Sequence, residues 1–205
     1  MLRFTTPNNH PGLPSPRRLV GFSLVEVLIS IVVLSFGLLG VAGLQAASLK
    51  YGRIARQQST AVSLARELAD MMRGNPGAAS LTSGNPYFGN FSGASIPAAG
   101  TATCLDIGSA CTNGNTIATA QLTDWLVRVG QALPEARAVI CEDSAPYNSS
   151  NGLPQWTCTA SPSGNFTVVI KLGWTQETTD KIIQQASDTN ARPFVILPVT
   201  PGDQP

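Results

Sequence analysis

The chain has a single histidine, His10, in 205 residues. If the segment carrying it is removed on maturation, no Ser-His-Asp hydrolase, Cys-His protease or His-ligated metal site can be built. Charge is scarce as well. Only 12% of residues are Asp, Glu, Lys or Arg, against about 25% in ordinary soluble proteins. The net charge of +1 excludes a strongly basic nucleic-acid binder and an acidic disordered chain. The sequence lacks the G-x-x-x-x-G-K-[ST] loop that cradles phosphates. The adjoining carboxylates Glu142 and Asp143 read as a solvated turn. No enzyme and no cofactor are expected from this inventory.

Apolar residues make up 43% of the chain and are concentrated unevenly. From Val27 to Leu49 the sequence carries no charge. At about 1.5 Å per residue, such a helix spans roughly 35 Å, enough for a hydrocarbon core of about 30 Å. Arg17 and Arg18 precede this stretch, and Lys50, Arg53 and Arg56 follow it, so counting positive charge does not fix its direction. A cleaved secretory signal would have a shorter apolar core, though Gln45-Ala46-Ala47-Ser48 offers small residues for a signal peptidase. An ordinary single-pass anchor is the other simple reading.

Neither reading accounts for Glu26, a carboxylate at the start of an otherwise apolar helix and therefore a functional candidate. It stands five residues after Gly21, within Gly21-Phe22-Ser23-Leu24-Val25-Glu26-Val27-Leu28. This segment resembles the type IV pilin and pseudopilin superfamily. The resemblance implies that a prepilin peptidase cuts after Gly21 and methylates the new amino terminus of Phe22. It further implies that Glu26, the fifth mature residue, pairs with the amine of a neighbouring subunit. Basic Arg17-Arg18 then fits a leader held in the cytoplasm, which gives the span its direction.

Without residues 1–21 the chain has no histidine and a side-chain charge of −2. Residues 50–73 are good helix formers without proline. Ile54, Ala61, Leu64, Ala65, Leu68 and Met72 recur at helical spacing and form one apolar face. That face is expected to pack on the chain's own head. Gly37, Gly40 and Gly43 lie inside the span at intervals of three, a spacing compatible with close helix approach or with local loosening. Gly74-Asn75-Pro76-Gly77 stops the helix.

Residues 74–121 carry one charge, Asp106, and read mostly as loop with one or two short strands. A helix is expected over 120–133 from Leu122, Leu126, Val129 and Leu133, with Trp125 beside them and Pro134 at its end. Phe166, Val168, Ile170, Leu172 and Trp174 alternate with Thr167, Val169, Lys171 and Gly173, which predicts a half-buried strand. Ala138–Cys141 and Phe194–Leu197 read as shorter strands, the latter at a sheet edge because Pro193 and Pro198 flank it. Trp156–Thr159 is a weaker strand candidate.

Cys104, Cys111, Cys141 and Cys158 lack the C-x₂₋₄-C pairs of a zinc site. An exported domain meets an oxidising compartment, where disulfides are the default. Three pairings are possible, and Cys104–Cys111 with Cys141–Cys158 is favoured. The second would tie two strands around the turn-rich segment from Asp143 to Pro154. The chain-entropy model gives the two loops about 2.5 and 3 kcal/mol.

Four blocks, GFSLVEVLISIVVLSFGLLGVAGLQ, RELADMMRGNP, WLVRVGQALPEARAVIC and FTVVIKLGW, together resemble PilV-type minor pilins, the type IV pilus modification proteins. The resemblance implies an α+β, pilin-like fold: a long N-terminal transmembrane and amphipathic helix packed on a small antiparallel sheet. Residues 1–21 would be the leader, 22–49 the transmembrane helix, 50–73 its amphipathic continuation and 74–205 the disulfide-bonded head. The implied place is the inner membrane, crossed once with the head in the periplasm, and then the pilus. The implied partners are prepilin peptidase, other minor pilins, the major pilin and the inner-membrane assembly platform. A minor pseudopilin of a type II secretion system shares the N-terminal chemistry and is the alternative. Residues 74–205 carry five basic and nine acidic side chains, a balance that disfavours phosphate contact, so no nucleic-acid partner is expected.

Overall fold

The computed structural model describes residues 21–161, 167–177, 182–188 and 190–201. His10, Arg17 and Arg18 lie outside the described residues, as does Phe166. The chain divides into two compact units with the boundary between Leu49 and Lys50. Helix α1 runs from Leu24 to Gly74. Its proline-free sequence lets the backbone ladder continue, and Gly74 and Pro76 end it. Up to Leu49 every described residue is exposed, and the helix is long and apolar enough to cross a membrane.

The second unit begins with the rest of α1, which buries Ala61, Leu64, Ala65, Leu68, Ala69 and Met72. A one-turn helix, α2 (Pro76–Ala79), and a short strand, β1 (Gly89–Ser92), follow. Helix α3 (Gly114–Ala132) leads to β2 (Arg137–Glu142) and β3 (Val168–Gly173). A two-residue pair, β4 (Gln176–Glu177) and β5 (Ile183–Gln184), precedes the last strand, β6 (Val195–Val199). The main sheet is antiparallel throughout, in the order β1-β2-β3-β6. The molecule is therefore α+β, with one long apolar N-terminal helix and a small antiparallel sheet.

One face of the sheet packs on the helices. Ala138, Ile140, Val168, Ile170, Leu172, Val195 and Val199 join Leu68, Met72, Trp125, Leu126 and Val129 in a single core. Each large side chain buried there contributes about 1.5–3 kcal/mol. Trp125 also donates from Nε1 to the Leu64 carbonyl at 2.8 Å, and Arg128 pairs with Glu67. Both contacts lock α3 against α1.

Four expectations from sequence are corrected. Helix α3 starts at Gly114, inside the stretch read as loop, because Asn113 caps it. The Asn113 side chain accepts from Thr116 N at 2.9 Å, and Thr116 Oγ1 returns a bond to the Asn113 backbone. Strand β3 is buried along its whole length, not half-buried, since a loop covers its second face. Trp156–Thr159 forms no strand; its carbonyls and amides are taken up by Lys171 and Asp143. Asp143 is not solvated but 1% exposed.

Candidate functional site

At the amino end, Gly21, Phe22 and Ser23 lie ahead of the helix. The Ser23 carbonyl accepts the amides of Glu26 and Val27 at 3.0 and 3.2 Å, so the ladder starts at Ser23. Glu26 falls in the first turn, where the exposed N–H groups and the helix dipole favour a negative charge. Ser23-x-x-Glu26 also has the form of a capping box. Phe22, Glu26, Ser30 and Leu34 recur every four residues and, with Val27 and Ile31, line one shallow crease. Gly21 meets no packing demand: a Cβ there would find nothing within 4 Å. The fold does not require a glycine at that position.

The head carries a second constellation, on the face of the sheet away from the helices. Cys104 is bonded to Cys111 and Cys141 to Cys158, the pairing favoured from sequence. The second bridge ties the end of β2 to a loop, and not two strands to each other, because Cys158 lies outside any strand. That loop, residues 143–159, crosses the outer face of β3 and hangs on one buried ion pair. Lys171 Nζ lies 2.6 Å from Asp143 Oδ2, and both side chains are 0% exposed. The same ammonium donates to the carbonyls of Gln155 and Thr157 at 2.8 and 2.7 Å. Asp143 Oδ1 accepts the amides of Ala145 and Thr159 at 2.9 and 3.1 Å. The ammonium thus has two hydrogen bonds and the ion pair, and the carboxylate has two amides on Oδ1 and the ammonium beside Oδ2, which is what makes a buried charge tolerable. Neither residue stood out in the sequence. The available signal was a lone lysine inside the apolar run Val168-Val169-Ile170-Lys171-Leu172.

Trp156 completes the loop's seat. Its ring lies over Gly173, where a Cβ would come within 2.8 Å of the indole. The Arg137 guanidinium sits 4.4 Å from the ring centroid, a cation–π stack. Gly173→Ala therefore has to push Trp156 off the sheet and disturb the Arg137 stack. We expect a loss of about 1–3 kcal/mol and altered tryptophan fluorescence. Urea unfolding with the wild-type midpoint would overturn this.

Beside Trp156 the loop leaves part of the sheet open as a groove of about 510 Å³. Phe88, Val139, Trp156 and the Cys141–Cys158 bridge give it apolar walls, and Asn90 and Arg137 supply the polar edge. Arg137 donates from Nε to Asn90 Oδ1 at 3.3 Å, and burial lowers its pKa from the ordinary value. Among the described residues there is no cluster of three or more His, Cys, Asp or Glu side chains able to hold a metal. No family model, curated protein or solved structure matches this chain.

Proposed function

We propose that this chain is a minor pilin of the type IV pilus, not an enzyme, and that it joins other minor pilins to prime or modify assembly. One observation carries the reading. Gly21, Phe22 and Glu26 stand at the start of a long helix whose next turns hold no charge and are exposed, with no partner among the described residues. A bare apolar helix needs lipid or other helices around it. A carboxylate in its first turn needs a cationic partner once water is removed. Cleavage after Gly21 would place a new amine on Phe22, and in a helical assembly the Phe22 amine of one subunit meets Glu26 of the next. The α+β head with its two disulfides supports an exported domain.

On this proposal the protein sits in the inner membrane, crosses it once with its head in the periplasm, and enters the pilus. Its partners are prepilin peptidase, other minor pilins, the major pilin and the assembly platform. The testing experiment is an N-terminal mass spectrum of the protein isolated from membranes or sheared pili. The expected mature form begins at N-methylated Phe22. A Gly21 variant with a bulky side chain should remain full-length, because the larger side chain would keep the scissile bond out of a tight protease site while packing in the folded chain does not oppose the substitution. A junction at Ala47 or Ser48 would sink the proposal.

A further inference from the structure

The groove beside Trp156 presents an incomplete electrostatic arrangement. Four ion pairs neutralise Lys50, Arg73, Arg128 and Lys171. Arg137 is half-buried and, among the described residues, has only the neutral Asn90 for a hydrogen bond. Among the described residues it is the one partly or fully buried cation with no acidic partner. Its stack on Trp156 and its bond to Asn90 hold the guanidinium at the rim of an apolar trough. Such a fork suits a carboxylate flanked by aliphatic groups. The volume of about 510 Å³ lies within the roughly 300–1,000 Å³ usual for ligand sites.

The chain itself displays that chemistry elsewhere. The Cys104–Cys111 bridge closes the short loop Cys-Leu-Asp-Ile-Gly-Ser-Ala-Cys. Leu105 and Ile107 are exposed, Ile107 completely so at 106%, and Asp106 lies between them. They are the only exposed aliphatic residues of the described head that flank an acid. Asp106 Oδ2 accepts the Thr103 amide at 2.7 Å, and Ser109 N donates to the Asp106 carbonyl at 3.0 Å. With the bridge, these bonds hold the loop in one shape, so docking it would cost little ordering entropy. The tip is solvent-exposed in its own chain, which leaves another copy's groove free to receive it.

We propose that the Leu105-Asp106-Ile107 tip of one copy docks into the Arg137–Trp156 groove of a second copy, with Asp106 meeting the Arg137 guanidinium. The two aliphatic side chains cover Val139 and the Cys141–Cys158 bridge. This contact rests on the head alone, so it stands or falls independently of the Gly21–Glu26 reading.

The test places a photo-crosslinking amino acid at position 107 in the full chain in detergent micelles. Mixed light and heavy isotope labels identify bonds between copies. Crosslinks should map to 88–90, 137–141 or 156–158 of the second copy. Asp106→Arg and Arg137→Glu should each reduce that yield about tenfold or more, and the two substitutions together should restore it. Crosslinks that map elsewhere, form only to a different protein, or do not form at all would overturn the proposal. So would a charge-swapped pair that fails to recover, because the rescue tests the Asp106–Arg137 contact separately from contacts made by the helices.

Discussion

Lys171→Met should destabilise the head by about 3–5 kcal/mol, the usual cost of leaving one partner of a buried ion pair alone. The methionine fills the space of the lysine stem, so the loss comes from charge and not from a cavity. Asp143 would keep a carboxylate that is 0% exposed, and the Gln155 and Thr157 carbonyls would lose their donor. Adding Asp143→Asn should recover a large part of the loss. The amide oxygen can still accept the Ala145 and Thr159 amides, while the unpaired charge is gone. Urea unfolding in detergent, followed by the fluorescence of Trp125 and Trp174, both buried, reads these differences. A Lys171→Met cost below about 1 kcal/mol, in the range of an exposed pair, would show that the ion pair does not hold the loop as described.

Glu26→Ala should leave insertion and cleavage intact and impair assembly, if the proposed function is right. The substitution removes one charge from an apolar helix, so entry into lipid becomes no harder. It also leaves the buried core untouched, since Glu26 is exposed. What disappears is the acceptor for a neighbouring subunit's amine. A charge-assisted hydrogen bond contributes about 1.5–3 kcal/mol, so association should fall about tenfold or more. The assay compares membrane levels and the Phe22 terminus with co-purification of other minor pilins and with surface pili. Unchanged co-purification and piliation would show that Glu26 does not recruit partners. Lower membrane levels would instead assign it to insertion or stability.

Much of the fold was legible because its signals are local. Proline-free helical spacing marked α1, Gly74 and Pro76 marked its end, and Pro193 and Pro198 placed β6 at an edge, where it lies. Helix α3 was found from Leu122, Leu126 and Val129, but its first turns were missed. Gly114, Asn115 and Thr116 are poor helix formers, and their cap on Asn113 outweighs that propensity. Strand β1 falls in the stretch read as loop with one or two short strands, but its residues were not located: Gly89-Asn90-Phe91-Ser92 shows no clear alternation and is held by its pairing with β2.

The sequence by itself determined the apolar span, the position of Glu26 at its start, and the class of the head. Charge, periodicity and helix breakers act over a few residues, so a one-dimensional reading captures them. Only the tertiary structure decided the fate of Asp143 and Lys171, which are distant in sequence and meet because a loop folds back over β3. The same folding buried the second face of that strand and brought Arg137, Trp156 and Gly173 together. Burial of a charge depends on what covers it; the disulfide was legible in the sequence, but the seat of the covering loop on β3 is set by long-range contacts that the local pattern does not encode.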